Sequence, residues 1–256
     1  FARPVGASPE GLVIDGVLIP CFQKKDPAEL PWKELHVDVV LECTGIFRDR
    51  VGAQKHLDAG AKKVIISAPA KGNDVESFVF GVNEQSYADQ NIIDNASCTT
   101  NCAAPVMRVL SEHFGVEKAL LSTTHSYTAS QNLQDGYAKD IRESRAAAMN
   151  LIPTQTGSAV ATARVIPSLT DKFDGMAVRI PTLTVSLTDI TAVLSRDTSV
   201  AELNAAFLDA SQDPSYMKVL AVTDEPLVSS DFIGSSASAT VDLSLTKVIG
   251  GNLVKV

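Results

Sequence analysis

Two side chains in this 256-residue chain have the types and positions to do covalent chemistry. Cys98 lies in Asn95-Ala96-Ser97-Cys98-Thr99-Thr100-Asn101-Cys102, after the apolar segment Asn91-Ile92-Ile93-Asp94 and before an amphipathic helical pattern. A thiol where a strand stops and a helix starts faces unpaired backbone N–H groups and the positive end of the helix dipole, and both favour the thiolate. Its polar flanks, Ser97, Thr99, Thr100 and Asn101, are not those of a core cysteine. Further on, the strand-like run Ala119-Leu120-Leu121-Ser122-Thr123-Thr124 delivers His125 at its end, followed by Ser126-Tyr127-Thr128. A cysteine and a histidine, each at the mouth of an element, are the parts of a thiol nucleophile with an adjacent base. The plainer alternatives are an inert packed thiol and a hydrogen-bonded surface histidine, and spacing alone does not bring the two together in space.

The elements that must position these groups can be read from periodicity. Val37-Asp38-Val39-Val40-Leu41 has the short, β-branched character of a buried parallel strand. Asp49 to Ala59 predicts a helix with Gly60 as its stop, and Val64-Ile65-Ile66-Ser67 the next strand, which makes one βαβ crossover. Phe78-Val79-Phe80-Gly81-Val82 and Asn91 to Asp94 add two short strands, as in the later part of a doubly wound nucleotide-binding domain. A helix from about Thr99 to Phe114 follows. Beyond it the character changes. Ala237 to Leu245 alternates as a half-buried strand does, and Ser199 with Glu202 predicts a capping box opening a helix through about Ala210. The expectation is a partial Rossmann-type parallel sheet over residues 1–97, followed by an α+β catalytic domain with a mixed or antiparallel sheet over 98–256. Tyr127 to Pro153 is polar without a clear period, and a loop that long is usually functional.

Composition narrows the classes. The formal charge of −8 without a basic run argues against an electrostatic grip on nucleic acid or an acidic membrane. No apolar run is long enough to span a bilayer, and Phe1-Ala2-Arg3-Pro4 lacks a signal-peptide layout. Cys21, Cys43, Cys98 and Cys102 have neither a zinc-type spacing nor a secreted disulfide pattern, so a reducing cytoplasm is the default expectation. Cys98 and Cys102, four apart on one helix, are read as a nucleophile and a packed thiol.

The strings Ala96-Ser97-Cys98-Thr99-Thr100-Asn101-Cys102-Ala103-Ala104-Pro105 and His125-Ser126-Tyr127-Thr128 resemble the active-site strings of phosphorylating glyceraldehyde-3-phosphate dehydrogenase. The likeness extends through Val39-Val40-Leu41-Glu42-Cys43-Thr44-Gly45-Ile46-Phe47, Lys62 to Pro69, Arg145-Ala146-Ala147-Ala148, Ile152 to Gly157 and Gly175 to Thr182, in the family's order. It implies a cytosolic homotetramer that converts glyceraldehyde 3-phosphate, inorganic phosphate and NAD, or NADP, to 1,3-bisphosphoglycerate. By the resemblance, Cys98 attacks the aldehyde and passes through thiohemiacetal and thioester, with His125 as base. Thr128 and Arg179 hold the substrate phosphate; Ser97, Thr99, Arg145, Thr156 and Gly157 hold the incoming one; Thr44, Gly45 and Ser67 contact the cofactor. Residues 127–153 become a loop lying near a neighbouring subunit's cofactor. Hydroxyl and guanidinium groups suit phosphate oxygens.

Departures and gaps qualify the likeness. Tyr137 stands where the family carries proline or a small residue, Val160 replaces a common lysine, and Leu183-Thr184 replaces a usual Pro-Asn. The first bears on the choice between NAD and NADP. No Gly-x-Gly-x-x-Gly follows a strand near the front, so the chain reads as a fragment that enters the nucleotide domain after that turn. Erythrose-4-phosphate dehydrogenase shares the cysteine and histidine and is the nearest rival reading, although Thr128 speaks against it. A truncated, non-catalytic interaction subunit is the rival from another class.

Overall fold

The computed structural model describes residues 3–216 and 218–256. The chain divides into two compact units, one running to Glu76 and taking in Asp89–Asp94, the other formed by Ser77–Ala88 and Asn95–Val256. Residues 77–88, placed by sequence in the first domain, thus cluster with the second.

The first unit begins with an antiparallel meander, β1 (Val5–Ser8), β2 (Gly11–Ile14) and β3 (Val17–Pro20). Its second sheet contains β4 (Val39–Glu42), β5 (Lys63–Ile66), the two-residue β6 (Glu76–Ser77) and β7 (Ile92–Asp94), in the order β4-β5-β7-β6. β4, β5 and β7 run parallel, as the crossover pattern required. The crossover helix α1 spans Arg50–Asp58. Asp49 caps it by accepting from Gly52 N at 2.7 Å, and Gly60 follows at φ +109°, a conformation that suits glycine. Val40, Ala53, Val64, Ile66 and Ile92 form the core of this unit.

Two expectations fail here. β4 is buried on one face only: Val40 and Glu42 are buried, whereas Leu41 is 65 % exposed. The other strand, Phe78 to Val82, is absent. The carboxamide of Asn83 accepts from Val79 N at 2.8 Å and donates to Ser77 O at 3.0 Å, and Val82 N closes a turn on Val79 O. These local bonds take the backbone groups that a strand would need for its ladder.

The second unit is built on α2 (Cys98–Phe114) and a six-stranded mixed sheet. Its strands are β8 (Val116–Ser126), β9 (Ile152–Gln155), β10 (Phe173–Ile180), β11 (Leu187–Leu194), β14 (Lys247–Ile249) and β15 (Leu253–Lys255), in the order β14-β15-β11-β8-β10-β9. Only the β8–β10 pair is parallel. Helices α3 (Ser158–Val165) and α4 (Val200–Gln212) complete it, with a small parallel pair, β12 (Leu220–Thr223) and β13 (Ala239–Asp242). Val106, Met107 and Leu110 of α2 pack with Leu121 of β8, Ile190 and Leu194 of β11, and Leu203 and Phe207 of α4. Alternation along β8 fixes that register, with Ala119, Leu121 and Thr123 inward and Leu120 and Ser122 outward.

β13 is shorter than the alternation predicts, because Asp242 Oδ1 accepts from Ser244 N and Oγ and turns the chain. Ser199 does cap α4, accepting from Glu202 N at 3.2 Å, but Glu202 turns to Arg196 and Thr198, so the capping box is half made. Residues 127–151 contain no helix or strand. That loop folds on itself through Gly136 N to Ser144 O (2.9 Å) and Ala147 N to Asn132 O (3.0 Å). No described helix is long and apolar enough to cross a membrane.

Candidate active site

Cys98 is the first residue of α2, and the turn before it is built to present it. Ala96 is buried with φ +55°, a left-handed conformation costing a non-glycine residue about 1–2 kcal/mol. The side chain of Asn101 holds that turn, its Nδ2 donating to Asn95 O at 2.8 Å and to Ser97 O at 2.9 Å. Ser97 caps the helix by accepting from Thr100 N at 3.1 Å. Cys98 is thereby left exposed at the positive end of a 17-residue helix.

His125, near the end of β8, lies with its Nε2 3.4 Å from Cys98 Sγ. Its Nδ1 donates to the carbonyl of Ser126 at 2.6 Å. That bond fixes the ring proton on Nδ1 and leaves Nε2 free to take a proton from the thiol. The hydrogen bond and charge of His125 hold the Cys98 thiol below its ordinary pKa against the opposing effect of burial, and the backbone N–H and hydroxyl of Thr99 act in the same direction. The same contact raises His125, and the Ser126 carbonyl adds to it, while burial and the nearby Arg179 guanidinium oppose. Cys102, one turn along α2, behaves differently, since burial pushes its thiol up. All four cysteines are free.

Arg179 of β10 is the register partner of His125 across the parallel pair, so the sheet sets the two side by side. Arg179 Nη1 donates to the hydroxyl of Thr128, and its Nε, though buried, has no acceptor among the described residues. A buried guanidinium donor without an acceptor, next to an exposed hydroxyl, is fit to receive a phosphate oxygen.

A second cluster joins α2 to the start of α3. Thr156 Oγ1 donates to Ser158 Oγ at 2.9 Å, and Ser158 Oγ lies 3.2 Å from Ser97 Oγ. Ser97, Thr156 and Gly157, named from sequence, are thus brought together by Ser158, which was not. Thr99 is buried beside Cys98. Arg145 is not joined to this cluster by any described bond. It lies in the 127–151 loop, in an exposed ion pair with Asp135 at 2.9 Å. Exposed pairs of this kind are weak and exchange readily for another anion.

The sequence-predicted cofactor residues belong to the first unit. Thr44 and Gly45 follow β4, and Ser67 follows β5. Gly45 has φ +73°, and a methyl group added to it would meet nothing within 4 Å, so its backbone is open to close approach. The carboxyl ends of adjacent parallel strands are where this sheet type receives a dinucleotide, and the three residues fit that role.

Residues 97–256 match the family model described as glyceraldehyde 3-phosphate dehydrogenase, C-terminal domain. The chain belongs to the glyceraldehyde-3-phosphate dehydrogenase family. Residues 1–50 match the family's NAD binding domain. Among curated relatives, a chloroplastic glyceraldehyde-3-phosphate dehydrogenase of Arabidopsis thaliana is 51 % identical over 99 % of this chain and 63 % of its own length. The chloroplastic A form of Chlamydomonas reinhardtii is 50 % identical over 95 % of the chain and 65 % of its own length. The glyceraldehyde-3-phosphate dehydrogenase of Streptomyces coelicolor is 47 % identical over 98 % of the chain and 75 % of its own length. The chain therefore spans somewhat under two thirds of the two chloroplastic relatives. Sequence reasoning missed Ser126, Asn101 and Ser158. Ser126 and Asn101 stand inside the strings that carried the family likeness, and Ser158 directly follows Thr156-Gly157.

Proposed function

We propose that this chain carries the catalytic machinery of a phosphorylating glyceraldehyde-3-phosphate dehydrogenase, oxidising glyceraldehyde 3-phosphate to 1,3-bisphosphoglycerate with inorganic phosphate and NAD, or NADP. The single observation that carries the reading is Cys98 Sγ at 3.4 Å from His125 Nε2, beside the Arg179–Thr128 pair. Cys98, as thiolate, adds to the aldehyde carbon, and the oxygen that becomes negative is met by the backbone N–H of Cys98 at the start of α2. His125 Nε2, carrying the proton taken from the thiol, is placed to give it to that oxygen, completing the thiohemiacetal, and to take it back when the hydroxyl is deprotonated. When bound, the nicotinamide supplies the hydride acceptor. Inorganic phosphate then attacks the thioester carbonyl, releasing Cys98 as thiolate and the acyl phosphate as product. Thr128 and Arg179 would bind the substrate phosphate; Ser97, Thr99, Thr156 and Gly157 would bind the attacking one, with Arg145 recruited from its exposed pair. Thr44, Gly45 and Ser67 would contact the dinucleotide.

Four free thiols suit a reducing compartment such as the cytoplasm. Exposed apolar side chains on the sheet and the long loop, among them Leu120 (64 %), Leu187 (59 %), Leu151 (71 %) and Met149 (84 %), support assembly, which we read as a homotetramer. The test is cofactor reduction by glyceraldehyde 3-phosphate with and without inorganic phosphate. Phosphate-dependent turnover that Cys98→Ser abolishes is expected. Turnover indifferent to phosphate, with erythrose 4-phosphate preferred, would replace this reading with the hydrolytic one favoured by the rival enzyme.

A further inference from the structure

Beneath the Thr44–Gly45 turn lies a chain of buried polar groups that neither the catalytic centre nor the phosphate sites use. Trp32, the chain's one tryptophan, donates its indole N–H to His56 Nδ1 at 3.1 Å. His56 Nε2 lies 2.9 Å from Glu42 Oε2. Glu42 Oε1 accepts from Thr44 N at 2.8 Å and also from the Thr44 hydroxyl. His56 is 5 % exposed and Glu42 3 %. The backbone carbonyl of Glu42 meanwhile accepts from both Ser67 N (3.0 Å) and Ser67 Oγ (3.1 Å). One residue therefore holds two of the three proposed cofactor contacts, Thr44 through its carboxylate and Ser67 through its carbonyl.

Donor and acceptor counting fixes the proton positions. An indole N–H can only donate, so His56 Nδ1 must accept. The single ring proton then sits on Nε2 and is given to Glu42. Glu42 accepts at both oxygens and is used throughout as a carboxylate, while His56 is neutral. Every polar atom of the chain is satisfied in one arrangement only, and a fully satisfied buried network of this kind fixes geometry.

We propose that Glu42 is the positioning residue of the cofactor turn, aimed at Thr44 by a His56 tautomer that Trp32 imposes. The inference rests on the reading of Thr44, Gly45 and Ser67 as dinucleotide contacts. Its test follows from the proton count. In Glu42→Gln, an amide that keeps its oxygen on Thr44 turns N–H groups toward His56 Nε2. His56 must then accept there and carry its proton on Nδ1, against the Trp32 indole N–H. The conflict is relieved by flipping the amide, which points N–H groups at Thr44 N and releases the turn. Removing the indole donor as well, in Trp32→Phe/Glu42→Gln, lets His56 carry its proton on Nδ1 and returns the amide oxygen to Thr44.

The expected result for Glu42→Gln is a KM for NAD raised about tenfold, the loss of one hydrogen bond to a charged group, with little change in kcat. Its Trp32 fluorescence, read without cofactor, should stay as in the wild type, because the flipped amide leaves His56 Nδ1 to accept from the indole. The double variant should recover most of the KM while its thermal midpoint stays as low as that of Glu42→Gln or lower, because the second change adds a cavity. A purely structural network predicts the opposite ordering, with KM following the midpoint and the double variant worst in both. An unchanged KM in Glu42→Gln, or no recovery in the double variant, overturns the inference while phosphate-dependent turnover of the wild type leaves the enzyme reading intact. Absence of NAD-linked turnover in the wild type overturns both.

Discussion

Replacing His125 by alanine removes the hydrogen bond and the positive charge that hold the Cys98 thiol down, and the consequence can be worked out. Hydrogen bonds to charged groups contribute about 1.5–3 kcal/mol. Cys98 is exposed, so the lower end applies. The shift on Cys98 is downward, so the thiolate exists at lower pH in the wild type than in the variant. At neutral pH the variant should then hold less thiolate. The remaining thiolate is more basic and more nucleophilic, which with a Brønsted slope near 0.4–0.5 offsets about half of that loss on a logarithmic scale. The net expectation is labelling by iodoacetamide at neutral pH slowed by up to about threefold, a half-maximal pH above that of the wild type, and a faster plateau in alkali. The assay is the rate of Cys98 carbamidomethylation against pH, followed by peptide mass spectrometry. Cys102, raised by burial, should label after Cys98 throughout. An unshifted pH profile in the variant, or labelling led by Cys102, would refute the assignment of the ion pair.

Arg179→Leu should reduce kcat/KM for glyceraldehyde 3-phosphate by an amount equivalent to about 2–5 kcal/mol, with a far smaller loss for unphosphorylated glyceraldehyde. Equal losses on the two aldehydes would make it a structural arginine. Ser158→Ala removes the hydroxyl between Thr156 and Ser97, and should raise the KM for inorganic phosphate about three- to tenfold while the aldehyde KM holds. A parallel rise in both KM values would deny it a place in the attacking-phosphate site. Phe207→Ala empties a fully buried position of the second unit's core at a cost of about 3–5 kcal/mol, seen as a drop in the thermal midpoint of roughly 6–20 °C. A midpoint within a degree of the wild type would mean that α4 contributes little to that core.

What could be read from the sequence depended on whether a residue's role follows from local pattern or from a partner far along the chain. Cys98 and the cap of α2 are local: polar turn, small residues, then helix, and the chain folds accordingly. The strand-like run Ala119 to Thr124 puts His125 at a strand end, but its 3.4 Å approach to Cys98 bridges 27 residues and needs the folded sheet. Thr128 and Arg179 are 51 residues apart, and only the parallel register of β8 and β10 sets His125 against Arg179. Phe78 to Val82 misled for the converse reason. Its apolar run reads as a strand, yet a single carboxamide, that of Asn83, takes the hydrogen bonds a ladder would use.

The hydrogen-bonded chain from Trp32 to Thr44, with Glu42 and His56 buried at its centre, shows why hydrophobic pattern alone overlooks such groups. In β4 the apolar Leu41 faces outward and the charged Glu42 faces inward, so the chemically informative residue sits where pattern assigns core. An unpaired carboxylate there would cost several kcal/mol. Three hydrogen-bond donors compensate it: one comes from a helix 14 residues along the chain, and two come from the turn it supports. Burial thus confines Glu42 to a single geometry, and that geometry is passed to the backbone at Thr44 and, through its own carbonyl, to Ser67. A carboxylate on the surface could hold the same partners only loosely, because water would compete for each donor. Placing the charge inside is what makes the support of an otherwise exposed turn rigid.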